Sequence, residues 1–145
     1  MAKDLYTAEA HVTGGRAEGH GRTSDGALEV DIRIPAELGG KGGGTNPEQL
    51  FAVGYAACFE SALATIARRQ KLEVGDVAID SQVKLRAGED RSFTIAAELH
   101  VTLPAVAGDD AVELVRAAHR VCPYSNATRG NIEVVLTANG TAVED

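Results

Sequence analysis

Tryptophan is absent from the 145-residue chain, and aromatic residues make up only 4% of it. A chain so poor in rings does not build the stacking platforms that hold single-stranded nucleic acid. Positive charge is also scarce: 14 Lys and Arg stand against 21 Asp and Glu, a formal net charge of −7. Without a basic stripe, neither nucleic acid nor an anionic membrane surface is expected as a partner. Cysteine occurs twice, at Cys58 and Cys122. Two are too few for a secreted disulfide scaffold, and they lack the close paired spacing of a zinc site. No unbroken apolar run approaches the roughly 18 residues of a membrane-crossing helix. The start, Met1-Ala2-Lys3-Asp4-Leu5-Tyr6, lacks the apolar stretch of a signal peptide. These absences lead to the expectation of a soluble, cytoplasmic protein.

Several catalytic signatures are missing as well. There is no Gly-x-Ser-x-Gly elbow and no HExxH pair. The four histidines, His11, His20, His100 and His119, have no metal-ligand spacing and read as structural or surface residues. Gly39-Gly40-Lys41-Gly42-Gly43-Gly44 resembles a phosphate loop, but Gly42 stands where a Ser or Thr must follow Gly-Lys. It reads as a flexible connector.

What is present suits one domain, 1–145, with 44% apolar residues to bury a core without staples. Apolar alternation predicts strands over 5–12, 16–23 and 28–34, an antiparallel meander ending near residue 35. A Gly-rich loop follows over about 36–46. Thr45-Asn46-Pro47-Glu48 is a strong helix start: Asn46 can cap, Pro47 suits the first turn and Glu48 complements the dipole. The central helix is predicted over about 47–71, apolar almost all round from Leu50 to Phe59, as befits an interior or an interface. Strands over 77–86 and 93–103, a second helix over 111–121 capped by Asp109 or Asp110, a short turn over 126–129 and a last strand over 132–136 complete a C-terminal part of about 76–138. The fold class is α+β.

The residues open to chemistry each have a bland alternative. Cys58 sits mid-helix between Ala57 and Phe59, as a small core residue or as a thiol that an apolar setting makes less acidic. A reactive Cys58 therefore needs a nearby cation. Cys122 closes a helix beside Pro123, where the dipole disfavours a thiolate. It resembles a second thiol that attacks later. Arg16, after Gly14-Gly15, reads as a solvated surface arginine and Glu48 as a carboxylate that complements the helix dipole, and neither stands out by itself.

The run Thr45-Asn46-Pro47-Glu48-Gln49-Leu50-Phe51 leading to Gly54-Tyr55-Ala56-Ala57-Cys58-Phe59 resembles the signature of the Ohr/OsmC family. Cys122-Pro123-Tyr124-Ser125-Asn126-Ala127-Thr128-Arg129-Gly130-Asn131 is similar to the second-cysteine motif of its Ohr branch, the organic hydroperoxide resistance proteins. The resemblance covers nearly the whole chain. It implies an OsmC-like fold with antiparallel sheets around a long buried central helix, in an intertwined homodimer. It implies a thiol peroxidase that reduces organic hydroperoxides to alcohols. By motif, Cys58 is the peroxidatic cysteine, Cys122 the resolving cysteine, and Arg16 and Glu48 the active-site arginine and glutamate. A lipoylated protein is the implied reductant, and no metal or other cofactor is required. Phe51, Phe59 and Tyr124 are candidate pocket walls that would favour alkyl peroxides through apolar burial. Rival readings are an OsmC-branch peroxidase, an apolar-ligand carrier and a single-use redox sensor.

Glu48 and Cys58, ten residues apart on one continuous helix, would be separated by about 15 Å along its axis. One chain would not easily bring both to one peroxide. The expectation is a homodimer with shared active sites, Glu48 and Arg16 serving the Cys58 of the other subunit.

Overall fold

The computed structural model of the chain describes residues 2–145. They fall into two compact units whose boundary in the chain lies between Leu50 and Phe51.

The first unit is a three-stranded antiparallel sheet, β1 (Ala10–Thr13), β2 (Gly19–Thr23) and β3 (Glu29–Ile32), in that order. The first strand is shorter than its apolar pattern suggested. Residues 2–9 lie exposed outside it, because alternation alone does not supply a strand with a hydrogen-bonding partner. The second strand also starts later than expected. Arg16 stands in the turn between β1 and β2 rather than in a strand. The Gly-rich segment is tied down by its backbone. The Gly42 amide donates to the Ile34 carbonyl at 3.0 Å, and Thr45 and Arg33 bracket β3 with amide bonds of 2.9 Å to Asp31 and from Arg33 to Thr45.

The helix α1 (Pro47–Arg69) opens as its sequence dictates. The Asn46 side-chain oxygen accepts the Gln49 amide at 2.8 Å, closing the N-terminal turn behind Pro47. Within the second unit α1 buries a stripe at four-residue spacing, Tyr55, Phe59, Leu63 and Ala67. It is therefore not buried all round by its own unit, and Val53 is 72% exposed. Glu60 and Ser61 interrupt any continuous apolar run, yet α1 is long and apolar enough on average to cross a membrane. Averaging over a window finds what a search for unbroken runs does not.

The stripe packs into one core with Ala111, Leu114, Val115 and Ala118 of α2 (Gly108–Val121) and with one face of a four-stranded sheet. That sheet runs β4 (Ala78–Ala87), β5 (Phe93–Thr102), β6 (Val134–Ala138) and β7 (Thr141–Ala142), in spatial order β4-β5-β6-β7. Leu99, Val101, Leu136 and Ala138 face the helices. The alternate residues Lys84, Glu98, His100 and Thr137 are linked to one another on the opposite face. The sheet is not purely antiparallel: β5 and β6 pair in parallel, Leu99 opposite Leu136. Parallel neighbours need a long crossover, and α2 with α3 (Pro123–Thr128) supplies it. No aspartate caps α2. It follows Ala107, and Asp109 and Asp110 lie in its first turn, where they complement the dipole.

Candidate functional site

In the first unit, Gly14 and Gly15 both take positive φ, 77° and 60°. A Cβ on Gly14 would stand 1.9 Å from the Glu18 carbonyl oxygen, so the tight turn requires glycine there. The turn presents Arg16 to Glu48. The guanidinium donates to both carboxylate oxygens, at 3.0 and 2.8 Å. This is the parallel two-bond fork that makes Arg–carboxylate pairs strong and directional. Glu48 is the more enclosed partner, its side chain 15% exposed against 48% for Arg16. The hydrogen bond from Arg16 holds the Glu48 carboxyl below the ordinary carboxylate range, and Glu48 raises Arg16 in turn. The pair is thus charged throughout the neutral range, and the Arg16 side chain stays half exposed.

In the second unit, Cys58 is half-buried and Cys122 fully buried, and both are free thiols. They are neighbours, and the Tyr124 amide lies near enough to the Cys58 sulfur to favour its thiolate. Burial pushes the Cys58 thiol up. The Tyr124 amide opposes this, and the neighbouring Cys122 adds to it. Without a cation, such a thiol is protonated at neutral pH. Cys122 does not sit at a simple helix C-terminus. Its amide donates to the Ala118 carbonyl at 2.9 Å, ending α2, and its carbonyl accepts the Asn126 amide at 2.9 Å, starting α3. The proline that stops one helix starts the next, so Cys122 stands between two opposed dipole ends. The sequence pattern located the stop and overlooked the new start.

Three rings enclose this corner. Phe51 packs edge-on to Tyr55 at 5.9 Å between centroids, and Tyr124 lies 5.7 Å from Phe51 and 5.8 Å from Tyr55. Phe51, Gly54, Tyr55 and Cys58 share one face of α1 through their three- and four-residue spacings. Gly54 gives Tyr124 its place: a Cβ there would come within 3.1 Å of the Tyr124 hydroxyl. Gly54→Ala is expected to change unfolding stability by less than about 1 kcal/mol, because better helix propensity offsets the crowding. The Tyr124 ring should nevertheless shift, read as a changed near-ultraviolet circular dichroism spectrum in this tryptophan-free chain. Phe59 is placed differently from the expectation. It is fully buried in the core among the α1 stripe, four residues past Tyr55, and does not wall an open pocket.

A buried polar cluster that the sequence pattern did not reveal lies beside the thiols. The Tyr55 hydroxyl is 2.9 Å from the Ser125 hydroxyl and 3.3 Å from that of Thr128. Its only signal was a tyrosine one turn before Cys58 in an otherwise apolar stretch. The histidines take structural places. His20 bridges Glu29 and Asp31 at 2.9 Å each, and His119 is buried beneath Asp145. Among the described residues no group of three His, Cys, Asp or Glu side chains is arranged to hold a metal.

Residues 40–137 match the model of the OsmC-like protein family. An organic hydroperoxide resistance protein of Xanthomonas axonopodis pv. citri is 53% identical over 138 residues, 93% of this chain and 95% of that one. The organic hydroperoxide resistance protein OhrB of Bacillus subtilis is 48% identical, covering 91% of this chain and 96% of its own. Among solved structures, an organic hydroperoxide resistance protein from Legionella pneumophila superposes with a TM-score of 0.88 at 51% identity, over 92% of this chain and 97% of that one. A Vibrio cholerae protein described as a possible member of the same group, with captopril bound in one active site, reaches 0.92 at 40% identity, over 97% and 96%.

Proposed function

This chain belongs to the OsmC-like family, and from that premise we propose that it is a cysteine-based organic hydroperoxide reductase of the Ohr branch, serving resistance to organic hydroperoxides. What supports this reading above all is the pair of neighbouring free thiols, Cys58 and Cys122, beside an aromatic corner.

The chemistry follows from the groups. The Cys58 thiolate attacks a peroxide oxygen, the O–O bond breaks, and the departing alkoxide takes a proton to leave as an alcohol. Cys58 becomes a sulfenic acid. The Cys122 thiol displaces its hydroxyl, forming the Cys58–Cys122 disulfide and water and forestalling irreversible oxidation. An external dithiol, which we assign to a lipoylated protein, reduces the disulfide and closes the cycle in a reducing cytoplasm. Phe51 and Tyr124 offer apolar surface to an alkyl group.

The missing element at Cys58 is a cation, because burial alone leaves it protonated. Arg16 is fixed by Glu48 and remains half exposed, where it could meet a thiolate or a peroxide oxygen. Glu48 and Cys58 stand about 15 Å apart along the unbroken α1, at 1.5 Å per residue. We therefore assign the Arg16–Glu48 pair to the Cys58 of a second subunit in a homodimer. The apolar, exposed flank of α1 around Val53 suits that contact.

Intact mass tests the reading. Just under one equivalent of tert-butyl hydroperoxide, added to reduced protein, should remove two hydrogens, and either Cys58→Ser or Cys122→Ser should prevent the loss. A mass unchanged in the parent protein would overturn it.

A further inference from the structure

The buried hydroxyls beside the thiols form a chain whose proton directions can be worked out. Thr128 Oγ1 donates to the carbonyls of Tyr124 at 2.9 Å and Ser125 at 3.2 Å. Its single proton is thereby used, so at the 3.3 Å contact it accepts from Tyr55. The Tyr55 proton is then committed as well, and at 2.9 Å the Ser125 hydroxyl donates to Tyr55. The order is Ser125 to Tyr55 to Thr128 to the Tyr124 carbonyl, with each hydroxyl proton placed. All three side chains are buried. The chain starts and ends on α3, the helix that begins immediately after Cys122, and passes through α1 one turn before Cys58. Its last acceptor belongs to Tyr124, whose amide lies near the Cys58 sulfur.

We infer that Tyr55 is a positioning residue for disulfide closure: its hydroxyl ties α3 to α1 and so holds the Cys122 thiol against Cys58. The inference rests on the redox role proposed above for the two thiols. The ring of Tyr55 also packs against Phe51 and Tyr124, so only removal of the oxygen isolates the tie. Tyr55→Phe leaves the Ser125 hydroxyl without its acceptor and the Thr128 oxygen without its donor, while the aromatic corner remains.

The effect belongs to closure and not to peroxide attack. Closure on the sulfenic acid joins the two sulfurs and releases water, and it competes with a second peroxide that oxidises Cys58 to the sulfinic acid. Closure can also be driven without peroxide by oxidised glutathione: two thiols and one glutathione disulfide give the Cys58–Cys122 disulfide and two glutathione thiols. Both routes depend on how often Cys122 meets Cys58.

The experiment measures both in the full-length protein. In glutathione buffers, Tyr55→Phe is expected to lower the equilibrium constant for closure roughly five- to tenfold. Under excess tert-butyl hydroperoxide, intact mass should show a rise of similar size in the ratio of sulfinic acid to disulfide. The rate of the first oxidation should be unchanged. Ser125→Ala should reproduce both shifts. Leu136→Val, which trims the core on β6 and touches no hydroxyl of the tie, should lower stability and leave both ratios at the parent value. Parent-like ratios in Tyr55→Phe, or equal shifts in Leu136→Val, would overturn the inference. A parent protein that closes with glutathione but does not react with peroxide would refute the peroxidase reading and leave the inference standing. One that closes with neither would refute both.

Discussion

Cys58→Ser is expected to abolish turnover of organic hydroperoxides, a loss of at least about a thousandfold in peroxide consumption, because a serine hydroxyl is not ionised at neutral pH and has no thiolate to offer. The substitution nearly preserves shape, and Cys58 is only half-buried, so the chain should remain folded. Cys122→Ser should behave differently. It keeps the first oxidation, giving one alcohol per chain, and then accumulates oxidised Cys58 instead of disulfide. A single-turnover assay of tert-butyl alcohol release, run beside intact mass, separates the two variants. Steady-state turnover surviving in Cys58→Ser would remove the proposed mechanism altogether.

Arg16→Met should be the next most damaging change, by about a hundred- to a thousandfold in the rate of peroxide attack. Burial raises the Cys58 thiol, so the thiolate fraction at neutral pH depends on a cation. Without Arg16 the rate should climb about tenfold per pH unit through the neutral range, since the nucleophile is the deprotonated form and its pKa stays high. The parent protein should be nearly flat there if Arg16 lowers the thiol as proposed. Glu48 does not limit the acid side first: its carboxyl titrates below the ordinary range, so the ion pair persists until the pH falls through that depressed value. Chain mixing decides where Arg16 acts. Co-expressed Cys58→Ser and Arg16→Met chains, each inactive alone, should regain about a quarter of parent activity if one subunit lends its arginine to the other, because half the dimers are mixed and each has one intact site. No recovery on mixing would return Arg16 to its own chain.

Local chemistry was legible in the residues. Asn46-Pro47-Glu48 marked the helix start within one residue, and the capping bond to Gln49 is the reason. Gly14-Gly15 marked a turn because only glycine tolerates that backbone. Long-range pairing was not legible. The pattern of residues 5–12 alternates well enough for a strand, yet only Ala10–Thr13 pair, since pairing depends on where β2 arrives. Strand β6 reads the same whether its neighbour runs parallel or antiparallel, so its parallel seat beside β5 had to be seen. In the candidate site, the two thiols drew attention as residue types, whereas Arg16 and Glu48 gained a task only from the family resemblance. The Arg16–Glu48 fork followed from that resemblance, and the geometry displays it. Tyr55, Ser125 and Thr128 stayed hidden because their importance lies in a contact between α1 and α3, 70 residues apart.

The parallel seat of β6 also sets an order in time. Cys122 lies inside the crossover between β5 and β6, and that crossover is fixed only when Val134–Ala138 dock beside β5. Non-local parallel pairing is slow to form. During synthesis, Cys58 leaves the ribosome well ahead of its partner thiol and of the strand that seats it. Until then Cys58 has neither its partner thiol nor the Arg16 guanidinium proposed to ionise it, so an unfinished chain should consume almost no peroxide. A cell under sudden peroxide stress therefore relies on the molecules it has already finished.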